Sequence, residues 1–68
     1  MAFYETTQEI KAEQLRIEQK IEALKAFMQS DMWLMLMREQ RESLWKQLRA
    51  MLKYRESLLE RLPMSVME

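Results

Sequence analysis

Lys46, Arg49 and Lys53 recur at steps of three and four, the spacing that sets side chains along one side of a helix. The chemistry open to such a row is electrostatic: contact with phosphate oxygens of a nucleic acid or a lipid surface. Arg38 extends the row, and Arg38, Lys46, Arg49 and Lys53 form the candidate nucleic-acid-binding set. Glu39, Glu42, Glu56 and Glu60 are interspersed among them, and Glu42–Lys46 and Lys53–Glu56 equally suit a solvated face laced with helical ion pairs. Covalent chemistry lacks its usual parts. There is no His to act as a general base, so Ser30, Ser43, Ser57 and Ser65 have no imidazole to activate them. The absence of Cys as well removes disulfides, thiol chemistry and the common zinc sites. Gly is absent too, and with it any glycine-rich phosphate loop. The expectation is a non-enzymatic protein with no catalytic residue, cofactor or metal.

The other residues that invite a partner are apolar. Met32 to Met37 places six large apolar side chains in a row, "MWLMLM", inside a charge-studded chain. A helix buries one stripe and not its circumference, so part of this run needs cover from elsewhere. Leu34 and Met37 fit the seam of the second helix, which leaves Met32, Trp33, Met35 and Leu36 as the candidate partner-binding set. Trp is enriched in binding hot spots, and Met adapts equally to a core gap or to a promiscuous surface. A third use of the run is attachment to a membrane surface. It is far too short to cross a membrane.

Helices must position these groups. Ala, Leu, Met, Glu, Lys, Gln and Arg dominate, Pro63 is the only proline, and no segment alternates with period two. "TTQE" offers Thr6 as an N-cap with Glu9 three residues on, and Thr7 is a close rival. Ile10, Gln14, Ile17, Ile21, Leu24 and Met28 then follow alternating steps of four and three. Extending that register would bury Asp31, Arg38, Glu42 and Arg49, so the chain must break near "QSD", with Ser30 or Asp31 as a new N-cap. Beyond the break the line Leu34, Met37, Arg41, Leu44, Leu48, Met51, Arg55, Leu58, Leu62 takes over, flanked by Trp45, Leu52 and Leu59. Pro63 should stop it by steering Leu62 from helical angles. The reading is an all-α single domain: helix 1 about 6–29, a turn near 29–31, helix 2 about 31–62 and a tail over 63–68. These lengths are unequal, about 36 and 48 Å, so the longer helix overhangs unless Phe3 and Tyr4 extend the shorter one. One uninterrupted helix of roughly 100 Å is the structural alternative.

A short connection makes an antiparallel two-helix hairpin. At 68 residues such a chain buries little surface alone, and without disulfides or metal the remaining route to stability is oligomerisation. Two hairpins pairing into a four-helix bundle, a homodimer, would cover the wide face of helix 2. The expected core and dimer interface comprises Ile17, Ile21, Leu24, Met28, Leu44, Trp45, Leu48, Met51, Leu52, Leu58, Leu59 and Leu62. Arg41 and Arg55 interrupt the apolar line and fit the seam edge, stems packed and heads in water; buried instead, they would need carboxylate partners and could then fix register. Eleven basic residues balance eleven acidic ones, which gives no overall drive toward nucleic acid. The opening "MAFYETTQEIK" lacks a basic region followed by an apolar run, so no secretory signal is read and a cytoplasmic location is expected.

The hairpin resembles in form the helical bundles of plasmid repressor-of-primer proteins, although no RNA-contacting residue set can be matched. The "MAFYETTQEIKAEQ" opening, the charged hairpin and the abrupt "LPMSVME" end resemble small orphan helical proteins from the early regions of temperate bacteriophages. That resemblance implies action in the host cytoplasm by binding a host or phage protein. The functional expectation is thus a protein–protein interaction module with an unidentified protein partner. A nucleic-acid-binding bundle is the alternative.

Overall fold

The computed structural model describes residues 6–64, and its longest dimension is 47 Å, which rules out a single long helix. Helix α1 spans Thr7–Met28, α2 Asp31–Leu34 and α3 Arg38–Arg61, followed by a 3-10 turn at Leu62–Met64. The described chain is almost wholly helical. Phe3, Tyr4 and positions 65–68 of the expected tail lie outside the described residues.

Thr6 holds extended angles and its Oγ1 accepts the Glu9 N–H at 3.1 Å, satisfying one of the donors a helix start leaves open. Ile10, Ile17 and Ile21 form the buried stripe of α1, and Gln14, Leu24 and Met28 are half-buried on the same line. The phase conflict at "QSD" resolves as a turn: the Gln29 N–H returns to Ala26 O at 3.1 Å and the Ser30 N–H to Phe27 O at 3.0 Å. Ser30 occupies the N-cap position of α2, but its hydroxyl donates backward to Phe27 O at 2.6 Å and makes no cap bond.

The helix expected over 31–62 is divided. After the single turn of α2 the chain breaks at Met35–Met37 and restarts at Arg38. Met37 is extended at ψ 156°, its N–H donates to Gln40 Oε1 at 2.9 Å, and its carbonyl accepts the Arg41 N–H at 3.0 Å. The division also removes the expected overhang. With residues 31–37 spent on a corner, α1 and α3 have 22 and 24 residues, nearly equal lengths. The C-terminal end of α1 meets the N-terminal part of α3, where Lys25 and Met28 share a concavity with Trp45 and Leu48, so the two long helices run antiparallel.

The core joins Ile10, Ile17 and Ile21 of α1 to Leu48 and Leu58 of α3, with Leu24, Met28, Met51, Leu52 and Leu62 packed around them. Leu44, Arg41 and Arg55 are half-buried. At the far end Leu62 keeps helical angles, φ −55° and ψ −46°. Pro63 therefore does not stop α3 by turning Leu62 away. It has no N–H to continue the ladder, and the last turn tightens to 3-10.

Candidate functional site

The corner between the long helices is built on aromatic rings. Trp33 of α2 stands between Phe27 of α1 and Trp45 of α3, at centroid distances of 6.4 and 6.5 Å and interplanar angles of 89° and 83°. Both contacts are edge-to-face, which the ring quadrupole favours. In a straight helix Trp33 and Trp45, twelve residues apart, would be separated by about 18 Å. The break at Met35–Met37 is what folds one indole onto the other. Trp33, Trp45 and Leu48 line, with Lys25, Met28 and Gln29, an open concavity of about 400 Å³.

Inward packing of Trp33 turns its neighbours outward. Met32, Leu34, Met35 and Met37 are 63%, 74%, 82% and 68% exposed, a contiguous apolar crest along the corner. This corrects the expectation for Leu34 and Met37, which do not face the seam: the break removes them from the line that continues through Leu44. Of the candidate partner set, Met32 and Met35 are on the crest, whereas Trp33 and Leu36 are half-buried beneath it. The signal for the break was Gln40, three residues past Met37, but without Ser or Thr at the cap it is weak. A four-residue α2 also gives no continuous amphipathic helix to lie along a membrane. No helix among the described residues is long and apolar enough to cross one.

A second concavity, of about 500 Å³, lies along α3 between Arg49, Leu52, Lys53, Arg55, Glu56 and Leu59. The four candidate nucleic-acid-binding residues are all exposed but do not act as one row. Arg38 pairs with Glu42 at 3.0 Å, Lys46 stands outside the groove, and Arg49 and Lys53 share it with Arg55. Arg55 escaped the sequence reading because its spacing placed it on the apolar line. Leu59 and Trp45 remain 46% and 50% exposed, so within one chain they are surface and not core. Ile17, Ile21, Leu48 and Leu58 are buried, and Leu24, Met28, Leu44, Met51, Leu52 and Leu62 are half-buried.

Among the described residues the buried side chains are all apolar, and no cluster of His, Cys, Asp or Glu could hold a metal ion. One surface sets exposed apolar side chains beside the Trp33 ring contacts, and the other combines cations with leucine walls. A family model described as Sequestin matches residues 5–64. Comparison with curated proteins and with solved structures gives no match.

Proposed function

The chain belongs to the Sequestin family, and on that premise we propose that it is a non-enzymatic binding protein that acts as a homodimer and withholds a protein partner from its usual contacts. The family's name denotes sequestration, and sequestration requires a surface rather than a reaction centre. The observation that carries the reading is the crest of Met32, Leu34, Met35 and Met37, four large apolar side chains left exposed on a corner that Trp33 fixes from below. Contiguous apolar surface of this kind marks interaction sites, and methionine adapts its shape to the groove it enters. The likeness to small phage proteins supports a phage-encoded modulator working on host or phage proteins in the host cytoplasm.

Replacing both Met32 and Met35 with Glu tests this. Both side chains are exposed, so helicity by circular dichroism and mass by sedimentation stay unchanged, while a partner captured by the native chain from its host is lost. A double variant that captures the same protein as the native chain sinks the reading.

The groove on α3 supports a second reading, a small phosphate-bearing ligand. Arg49, Lys53 and Arg55 supply three cations against one carboxylate, Glu56, and Leu52 and Leu59 offer apolar walls. Calorimetric titration with pyrophosphate and with a mononucleotide should show binding that weakens steeply with salt. Absence of heat at low salt removes this reading.

A further inference from the structure

Methionine is the only sulfur this chain offers an oxidant, since Cys is absent. Met28 and Met51 are sheltered: both are half-buried and pack against the core. Met32, Met35 and Met37 stand apart from that core and are strongly exposed, and Met35 is the most exposed large apolar side chain among the described residues. They also share one short stretch. The Met35 N–H returns to Met32 O at 3.1 Å, a helical turn that makes these two side chains neighbours on one face. Met37 follows two residues on, as the extended N-cap of α3.

We propose that Met32, Met35 and Met37 form an oxidation site for hydroperoxides, and that their conversion to sulfoxides turns the crest from apolar to polar without unfolding the chain. In each step the thioether sulfur attacks one peroxide oxygen. The O–O bond breaks, an S–O bond forms, sulfur gives up two electrons, and with hydrogen peroxide the other oxygen leaves as water. Burying the apolar thioether under a partner is favourable, whereas burying a sulfoxide costs free energy unless its oxygen finds a donor. The core is spared, because its buried members are Ile and Leu. Reversal takes two thiols of a methionine sulfoxide reductase: the sulfoxide oxygen leaves as water and the thiols become a disulfide. The effect on partner capture rests on the binding role proposed above; the oxidation site does not.

Dilute hydrogen peroxide on the full chain tests the proposal, read by peptide mass mapping, circular dichroism and retention on a hydrophobic-interaction column. Met32, Met35 and Met37 should each gain one oxygen before Met28 and Met51 do. Helicity should hold while retention falls. Capture of a partner from the host should drop on the order of tenfold, about the worth of burying one apolar side chain. Methionine sulfoxide reductases should restore both. The triple variant Met32→Leu, Met35→Leu, Met37→Leu keeps the crest apolar without its sulfur, so its retention and capture should withstand the same dose. Met28 or Met51 oxidising as early as the crest overturns the proposal. So does helicity lost at the dose that oxidises the crest, retention unchanged after crest oxidation, or a triple variant as sensitive as the native chain. An untreated chain that captures nothing removes the binding role alone, since mapping and retention still decide the oxidation site.

Discussion

Ile21→Asp leaves the chain without its native helical fold. Ile21 is fully buried at 0% exposure, on the one stripe of α1 that meets Leu48 and Leu58. A carboxylate there would enter a core whose buried members, among the described residues, are all apolar. Nothing in that core could pair with it, and substitutions that bury an unpaired charge cost upward of about 4 kcal/mol. At about 0.05–0.15 kcal/mol per residue a chain of this length has roughly 3–10 kcal/mol to lose. The loss therefore takes most or all of the stability. Leu15→Asp is the matched control: the same change on the same helix, at a side chain 59% exposed, should move stability by no more than about 0.5 kcal/mol. Far-ultraviolet circular dichroism and thermal melts read both. If Ile21→Asp melts like the native chain, the buried stripe is not what holds α1 to α3.

That stripe was legible because its period is unambiguous. Ile10, Ile17 and Ile21 can share only one face of a helix, and the register of Leu44, Leu48, Met51 and Leu58 conflicts with it, which locates the turn at "QSD". The second break was not legible by the same means. Periodicity needs polar residues for contrast, and Met32–Met37 has none, so every phase fits and the run reads as the start of a longer helix. Gly and Pro, which usually mark a break, are absent there. The arrangement that accompanies it, Trp33 beside Trp45, is tertiary and pairs residues that spacing alone would keep apart. Leu34 and Met37 were misplaced for that reason. At the groove, spacing found Arg49 and Lys53 but assigned Arg55 to the seam, since one half-buried Arg can serve both the packed edge and the outer face. The family was not legible at all, because no short motif in the chain has a chemical reason to be fixed.

Trp33→Ala should loosen the corner while leaving the α1–α3 core folded. A four-residue helix is far below the length that persists alone, so α2 stays in place through tertiary contact. Trp33 supplies that contact to both sides, through its perpendicular packing on Phe27 and Trp45. Each such ring pair is worth about 0.5–1.5 kcal/mol beyond burial, so losing both removes about 1–3 kcal/mol. In a domain this small, 1 kcal/mol shifts the melting midpoint by about 4–8 °C, and the drop should be on the order of 10 °C. Trp33→Phe keeps a ring between the other two and should recover most of it. Trp45 is then the only indole left in either variant, and its emission should shift toward that of solvent-exposed tryptophan in the Ala variant and less in the Phe variant. The functional consequence separates this residue from its neighbours. Met32 and Met35 are untouched by the change, yet the crest they form loses its rigid base. Partner capture should weaken in Trp33→Ala although every exposed contact residue is present. A Trp33→Ala chain that melts and captures as the native one does would mean that the aromatic stack merely fills the corner and does not hold the crest in shape.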